Sequence, residues 1–207
     1  MRKIYGIEKK QNDVLTNYVK KDEISNTLKT EKLNEMNLEM NEIKQLEEWT
    51  KKKCGEVVFD SDEDDWKDSD ILLPKIKNKS NLLFIFEDKQ KNKFGYYLNT
   101  KVQFTKYKSW ISADINSFLF SLKSNGRLNR MMKFEQTEPK CGIIIYQKTD
   151  NNVYALGGFA ITANKSTSEC YQYIEEFDYH GIENPFVGGK GRPVTFDPKM
   201  ITIIQMI

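Results

Sequence analysis

The feature that most constrains the fold is a series of short apolar runs that begins after residue 54. Each run is four to seven residues long and rich in β-branched and aromatic side chains, and charged or glycine-containing turns separate the runs. Segments of this length and composition favour β-strands over helices. The eight runs are 56–59, 82–86, 94–98, 117–122, 142–146, 153–156, 159–162 and 200–206.

The linkers between these runs indicate how the strands are arranged. Polar linkers at 88–93 and 148–152 have the length of hairpin loops, so the strands on either side of each should pair. A helical pattern covers about 69–77, and Pro74 should keep that helix short. We therefore predict an α+β, mostly β chain: a two-sheet antiparallel β-sandwich with short flanking helices, preceded by an N-terminal amphipathic helix.

The composition changes near residue 53, since all five prolines and ten of the eleven glycines follow it. Before this point apolar residues recur at helical spacing, which predicts an amphipathic helix over 27–53 that ends at Cys54-Gly55, with Lys51, Lys52 and Lys53 near its carboxyl end. Residues 1–26 are predicted to be loosely ordered and 54–207 to form the sandwich. The apolar stripe spans about two heptads, which leaves open a short coiled coil that self-associates through 27–53 and a helix packed on its own domain.

Charge and composition exclude several classes of protein. The 207 residues contain 32 Lys+Arg and 30 Asp+Glu, and 39% hydrophobic residues are too many for a wholly disordered chain. No apolar stretch approaches the ~18 residues of a membrane span, and the first residues lack the apolar core of a signal peptide. We expect a cytoplasmic protein without a membrane span, with the nucleus as a second compartment. Three widely spaced cysteines predict neither a disulfide scaffold nor a zinc site.

The order of the apolar segments resembles the TLDc domain family over about 46–207. The first half of the resemblance is an acidic turn after a short strand, then an apolar strand and a Phe-Gly-aromatic step. The second half is a Phe-Leu-Phe strand, a Gly-Gly-Phe step and a closing apolar strand. The segments are Val57–Asp62, Leu82–Phe86, Phe94–Tyr97, Ser117–Leu122, Ala155–Ile161 and Phe196–Ile204.

The resemblance implies a two-sheet β-sandwich flanked by small helices. It also implies protection against oxidative stress and, in several members, binding to the vacuolar proton-pumping ATPase, with no established catalytic residues. We therefore expect a non-enzymatic interaction or adaptor protein without a cofactor. Its expected partner is a protein, with vacuolar ATPase subunits as candidates.

A nucleic-acid-binding, stress-responsive transcriptional regulator is the first alternative. Nine lysines lie between Lys75 and Lys108 and are interleaved with aromatic residues, a pattern that suits phosphates and bases. The aromatic residues are equally explained as core, and no recognition motif is present. The candidate contacts are Lys89, Lys91, Lys93, Lys106, Lys108, Lys190 and Arg192. The glycine-rich loop at 188–191 fits either an anion site or a surface turn.

A cysteine-dependent antioxidant enzyme is the second alternative. Cys54 follows three lysines, whose charges would lower the pKa of its thiol and make it a redox candidate. The single histidine, His180, has carboxylates nearby but no nucleophile motif. The sequence contains no catalytic constellation.

The acidic turn at 60–70 suggests a divalent cation site. Asp60, Asp62, Asp64 and Asp65 are its candidate ligands, because oxygen ligands at positions 1, 3 and 5 begin an EF-hand loop. The rest of that pattern fails, since Asp65 stands where glycine is required and Ile71 where a glutamate should be. A solvated acidic turn is the competing interpretation.

Overall fold

A computed structural model describes residues 38–104, 110–140, 142–146, 150–163, 167–173, 175–187 and 193–207. The chain divides into two compact units, Met1–Ile43 and Lys44–Ile207. Of the first unit only 38–43 are described, and they include the start of a helix. The second unit contains every strand given below.

The described residues form two helices and twelve strands. The helices are α1 (Met40–Thr50) and α2 (Ser69–Ile76). The strands are β1 (Cys54–Asp60), β2 (Leu82–Asp88), β3 (Lys93–Leu98), β4 (Trp110–Ile111), β5 (Phe118–Lys123), β6 (Met132–Glu135), β7 (Ile143–Ile145), β8 (Asn152–Leu156), β9 (Phe159–Thr162), β10 (Ser168–Cys170), β11 (Val194–Phe196) and β12 (Pro198–Met206).

The strands form two six-stranded sheets. Sheet 1 has the order β1-β12-β2-β3-β5-β6 and sheet 2 the order β11-β10-β9-β8-β7-β4, and all neighbours are antiparallel. One buried apolar cluster takes side chains from both sheets, so the sheets pack face to face. The predicted fold class is confirmed.

Each of the eight predicted runs is a strand, and both predicted hairpins pair as β2 with β3 and β7 with β8. The sequence pattern missed β4, β6, β10 and β11. These strands are two to four residues long and, as in Ser168–Cys170, lack a continuous apolar run. Helix α2 covers nearly the predicted range: Asp68 caps it by accepting a hydrogen bond from the Asp70 N–H, and Pro74 lies inside it.

The first helix ends earlier than the sequence predicted. The described part of the predicted 27–53 helix runs from Met40 to Thr50, and 27–37 lie outside the described residues. Lys51 has a φ of 57°, a left-handed conformation that ends the helix. The three lysines therefore follow the helix instead of forming its last turn, and Cys54 begins β1 instead of terminating the helix. Trp49 contacts Phe118 and Phe120 on the outer face of sheet 1, with ring centroids 6.4 Å apart in both pairs.

Aromatic side chains join the two sheets at the centre of the core. The ring of Phe94 in β3 lies 5.1 Å from that of Phe159 in β9, and Phe86 in β2 lies 5.4 Å from the same ring. Next to this contact the ring of Tyr96 covers Gly157, where an added Cβ would lie 2.5 Å from the ring. The Phe-Gly-aromatic and Gly-Gly-Phe steps that were distant in sequence are thus packed against each other.

We predict that Gly157→Ala destabilises the protein more than Gly126→Ala. Both glycines have positive φ, which costs a non-glycine residue about 1–2 kcal/mol. At Gly157 the new methyl group also displaces a buried ring, which costs a further ~1–3 kcal/mol, whereas no atom of the described residues lies within 4 Å of a Cβ at Gly126. Urea unfolding followed by circular dichroism measures the difference. Equal losses would contradict the packing of Tyr96 on Gly157.

Candidate functional site

The outward face of sheet 2 carries one continuous row of side chains. Residues that pair directly across neighbouring strands project on the same side of a sheet. The pairs run in sequence from the β4 edge to the β11 edge, each sharing a member with the next. The row is Trp110, Ile144, Ala155, Ala160, Glu169 and Thr195.

A cavity of about 190 Å³ lies on this face. We name it the aromatic groove and define it by Trp110, Ile144, Ala155, Ala160, Tyr171 and Tyr173. Its floor lies on the central strands β8 and β9, which contribute the small side chains of Ala155 and the buried Ala160 to this face. Its sides are aromatic, and two of them are open to solvent: Trp110 is 55% exposed and Tyr173 is 42% exposed.

The two tyrosines of the groove form a stacked pair. Their rings are parallel within 5°, with centroids 5.8 Å apart. The Tyr171 hydroxyl donates a hydrogen bond to Glu169 Oε2 at 2.8 Å. This hydrogen bond, followed by burial, raises the pKa of Tyr171 to about 12. The phenol therefore stays protonated at neutral pH and holds the Glu169 carboxylate beside the groove.

Gly158 allows the segment with Tyr171 and Tyr173 to approach the β8–β9 turn closely. Its φ is 107°, and an added Cβ would lie 2.5 Å from the Tyr171 carbonyl oxygen. The Tyr171 N–H donates to the Gly158 carbonyl oxygen at 2.7 Å. The Gly-Gly-Phe step therefore has two packing roles. The ring of Tyr96 packs in the core against Gly157, and the backbone of Tyr171 packs against Gly158 beside the groove.

The sequence did not identify this site. Trp110 lies in a two-residue strand, and the groove combines residues from strands far apart in the chain. One signal was available: Tyr171 and Tyr173 are two residues apart, the spacing that puts side chains on one face of an extended segment.

Three of the seven candidate nucleic-acid residues are described, and all three lie in or beside the β2–β3 hairpin. Lys89 and Lys91 are exposed in the β2–β3 hairpin, and Lys89 forms an ion pair with Asp197 at 3.4 Å. Lys93 is only 4% exposed, so its ammonium group is poorly placed to contact a phosphate. Lys106, Lys108, Lys190 and Arg192 lie outside the described residues, as does the 188–191 loop. The nucleic-acid interface stays a prediction.

The acidic turn uses its carboxylates locally. Asp60 Oδ1 accepts from the Asp62 N–H at 3.0 Å, and Asp65 Oδ1 accepts from the Lys67 N–H at 3.0 Å. Asp64 forms an ion pair with Lys75 at 2.7 Å. Over the described ranges, no three His, Cys, Asp or Glu side chains are arranged to hold a metal ion. Asp60, Asp64 and Asp65 thus act as acceptors for backbone N–H groups and for a lysine.

The described candidates for chemistry are separated from one another. His180 is exposed, with Nδ1 3.2 Å from Asp178 Oδ2. Cys54 is buried at the start of β1, and burial, followed by the charge of Glu47, raises the pKa of its thiol to about 12. The predicted lowering of this pKa is wrong, because Lys53 Nζ pairs with Glu47 Oε2 at 2.6 Å and the desolvation of the thiol outweighs the lysine charge. A redox role for Cys54 stays a prediction.

We predict that Cys54 lowers the stability of the protein at high pH. The folded thiol has a pKa of about 12 against an ordinary value of 9.0, so it stays neutral in the folded state while the unfolded thiol ionises. The contribution of the Cys54 thiol to the free energy of unfolding is complete below about pH 9. It is lost as the pH rises towards about 12, at up to ~1.4 kcal/mol per pH unit. Urea unfolding over this range should give a shallower decline for Cys54→Ala than for the wild type.

Cys170→Ala is the matched control. Its thiol is also buried, with a pKa of about 12, so its removal should flatten the decline similarly. Parallel pH profiles for Cys54→Ala and the wild type would mean that the folded Cys54 thiol titrates normally, as a redox role would require.

Comparisons with known proteins place the whole arrangement in context. The family model for the TLDc domain matches residues 21–194, which is most of the chain. No curated protein matches the sequence. Among the helices of the described residues, none has the length and apolar character needed to cross a membrane.

Proposed function

Because the chain belongs to the TLDc domain family, we propose that it is a non-enzymatic interaction protein whose partner binds in the aromatic groove. The observation that carries this proposal is the exposure of Trp110 and Tyr173 on either side of an apolar floor. Tryptophan and tyrosine contribute most to binding energy in protein interfaces when a partner desolvates them. Large aromatic side chains on an open sheet face are therefore a natural anchor for another protein.

The size of the groove favours a protein partner over a small-molecule substrate. Pockets for small ligands have volumes of about 300–1,000 Å³, whereas this groove has about 190 Å³. Among the described residues that line it, none has a charged side chain. The groove suits the side chains of a bound segment better than a whole cofactor or a charged metabolite.

Family membership supports a more specific role, and we propose that the partner is a subunit of the vacuolar ATPase and that the interaction acts in the oxidative-stress response. The buried state of Cys54 and Cys170 supports an adaptor over a thiol enzyme, because their raised pKa values keep the reactive thiolate scarce. Under this proposal the protein protects by binding and does not itself consume an oxidant.

We predict that Trp110→Ala and Tyr173→Ala each weaken binding to purified vacuolar ATPase by at least about tenfold, the loss expected for an interface anchor. The full chain would be immobilised and binding measured by biolayer interferometry, before and after peroxide treatment. Circular dichroism should show unchanged folding, since both side chains are exposed.

Ile115→Ala is the matched control, because Ile115 is 51% exposed but does not line the groove. It should leave binding unchanged. Binding of the ATPase that survives both groove substitutions would reject the groove as the interface, and an absence of binding by the wild type would reject the ATPase as the partner. Binding to the immobilised chain that is lost after nuclease treatment would favour the nucleic-acid alternative.

A further inference from the structure

We propose that the aromatic groove binds a proline-rich segment in the polyproline II conformation, with a basic residue of that segment placed beside Glu169. This inference rests on the proposed function in one respect, namely that the groove is a protein-docking surface. It adds the chemistry and conformation of the bound segment, which follow from the direction, length, polarity and charge of the groove.

A segment bound along the outward row would cross the strands instead of pairing with them. The row of side chains crosses the strands, and β7, β8, β9 and β10 each have a hydrogen-bonded neighbour on both sides. Their backbone groups are therefore already used in the sheet. A segment that lies across this face needs a backbone that is stable without a ladder of hydrogen bonds, and polyproline II has this property.

The length of the outward row, from Trp110 in the groove to Glu169 beyond the groove lining, suits a short extended segment. Four strand intervals separate Trp110 on β4 from Glu169 on β10. At about 4.8 Å per interval, the distance across the sheet is about 19 Å. A polyproline II helix rises about 3.1 Å per residue, so about six residues cover it. A bound α-helix is about 10 Å wide with its side chains, which is a poor fit to a shallow groove of about 190 Å³.

The polarity of the groove suits proline. Trp110 contributes an indole N–H, which only donates, and the open aromatic rings provide flat apolar surfaces. A proline residue has a carbonyl acceptor and no N–H. A proline-rich segment therefore offers acceptors to the indole and leaves few donors unsatisfied, while its rings pack on the aromatic side chains as in other domains that recognise polyproline II.

Charge defines the orientation of the segment. The described lining of the groove is uncharged, and Glu169 lies in the outward row directly beside Ala160 on the groove floor. Tyr171 donates to one oxygen of its carboxylate, and a carboxylate can accept several hydrogen bonds. An arginine or lysine of the partner placed here completes an ion pair at one end of an otherwise neutral groove.

Fluorescence anisotropy with the purified full chain tests the proposal with three labelled peptides of equal length. These are an oligoproline with one central arginine, the same oligoproline with a central glutamate, and a glycine-serine peptide with the central arginine. The arginine oligoproline should bind at least about tenfold more tightly than either other peptide, and Trp110→Ala should remove at least about tenfold of that affinity. Equal affinity for the glycine-serine peptide, or an unchanged affinity in Trp110→Ala, would overturn the inference.

Two further variants separate the charge of Glu169 from its contact with Tyr171. Glu169→Gln should abolish the preference for arginine over glutamate, whereas Tyr171→Phe removes the hydrogen bond, keeps the carboxylate and should retain that preference. Ile115→Ala should bind all three peptides like the wild type. A preference for arginine that survives Glu169→Gln would overturn the assignment of the basic residue.

The outcomes distinguish this inference from the proposed function. Retention of the vacuolar ATPase that depends on Trp110, together with no binding of oligoproline, would keep the proposed function and reject the polyproline segment. Binding of oligoproline through Trp110 without retention of the ATPase would do the reverse.

Discussion

The contact between the two sheets at Phe94 and Phe159 is the interaction on which the rest of the structure depends. Their rings lie 5.1 Å apart, and Phe86 and Phe196 pack on the same pair. Burial of this aromatic cluster holds β9 against sheet 1, and the β8–β9 turn is held beside it because Tyr96 fits only over a glycine at 157. The position of that turn sets the position of Gly158, and Gly158 in turn receives the backbone of Tyr171. The outer groove is therefore fixed from the inside of the sandwich.

This connection explains how an exposed and partly apolar surface remains ordered. A groove made of flexible side chains would lose conformational entropy on binding and so lose affinity. Here the floor consists of alanines on central strands, and the tyrosine wall is held by ring stacking and by the hydrogen bond to Glu169. The described cysteines, in contrast, are placed where burial suppresses their chemistry.

The sequence predicted the inward half of this molecule well and the outward half poorly, for a physical reason. Core strands need runs such as Leu82–Phe86, whose composition is visible locally, and the order of these runs with the steps around Gly95 and Gly157 indicates the family. Short edge strands such as Trp110–Ile111 have no such signal, because their partners and not their composition make them strands. The groove needs the register of five strands at once. Likewise, the charge of Lys53 beside Cys54 was visible, but its pairing with Glu47 and the burial of the thiol were not.

The alternation of side chains along the strands of sheet 2 separates the residues that pack in the core from those that form the groove. In β9, Phe159 and Ile161 serve the core and Ala160 serves the groove, and in β7 Ile143 and Ile145 flank Ile144 in the same way. Outward-facing residues of the central strands thus form the recognition surface, and the residues that alternate with them pack in the core. Single substitutions of outward-facing residues on several strands can consequently change which partner binds, while the core of the sandwich stays the same.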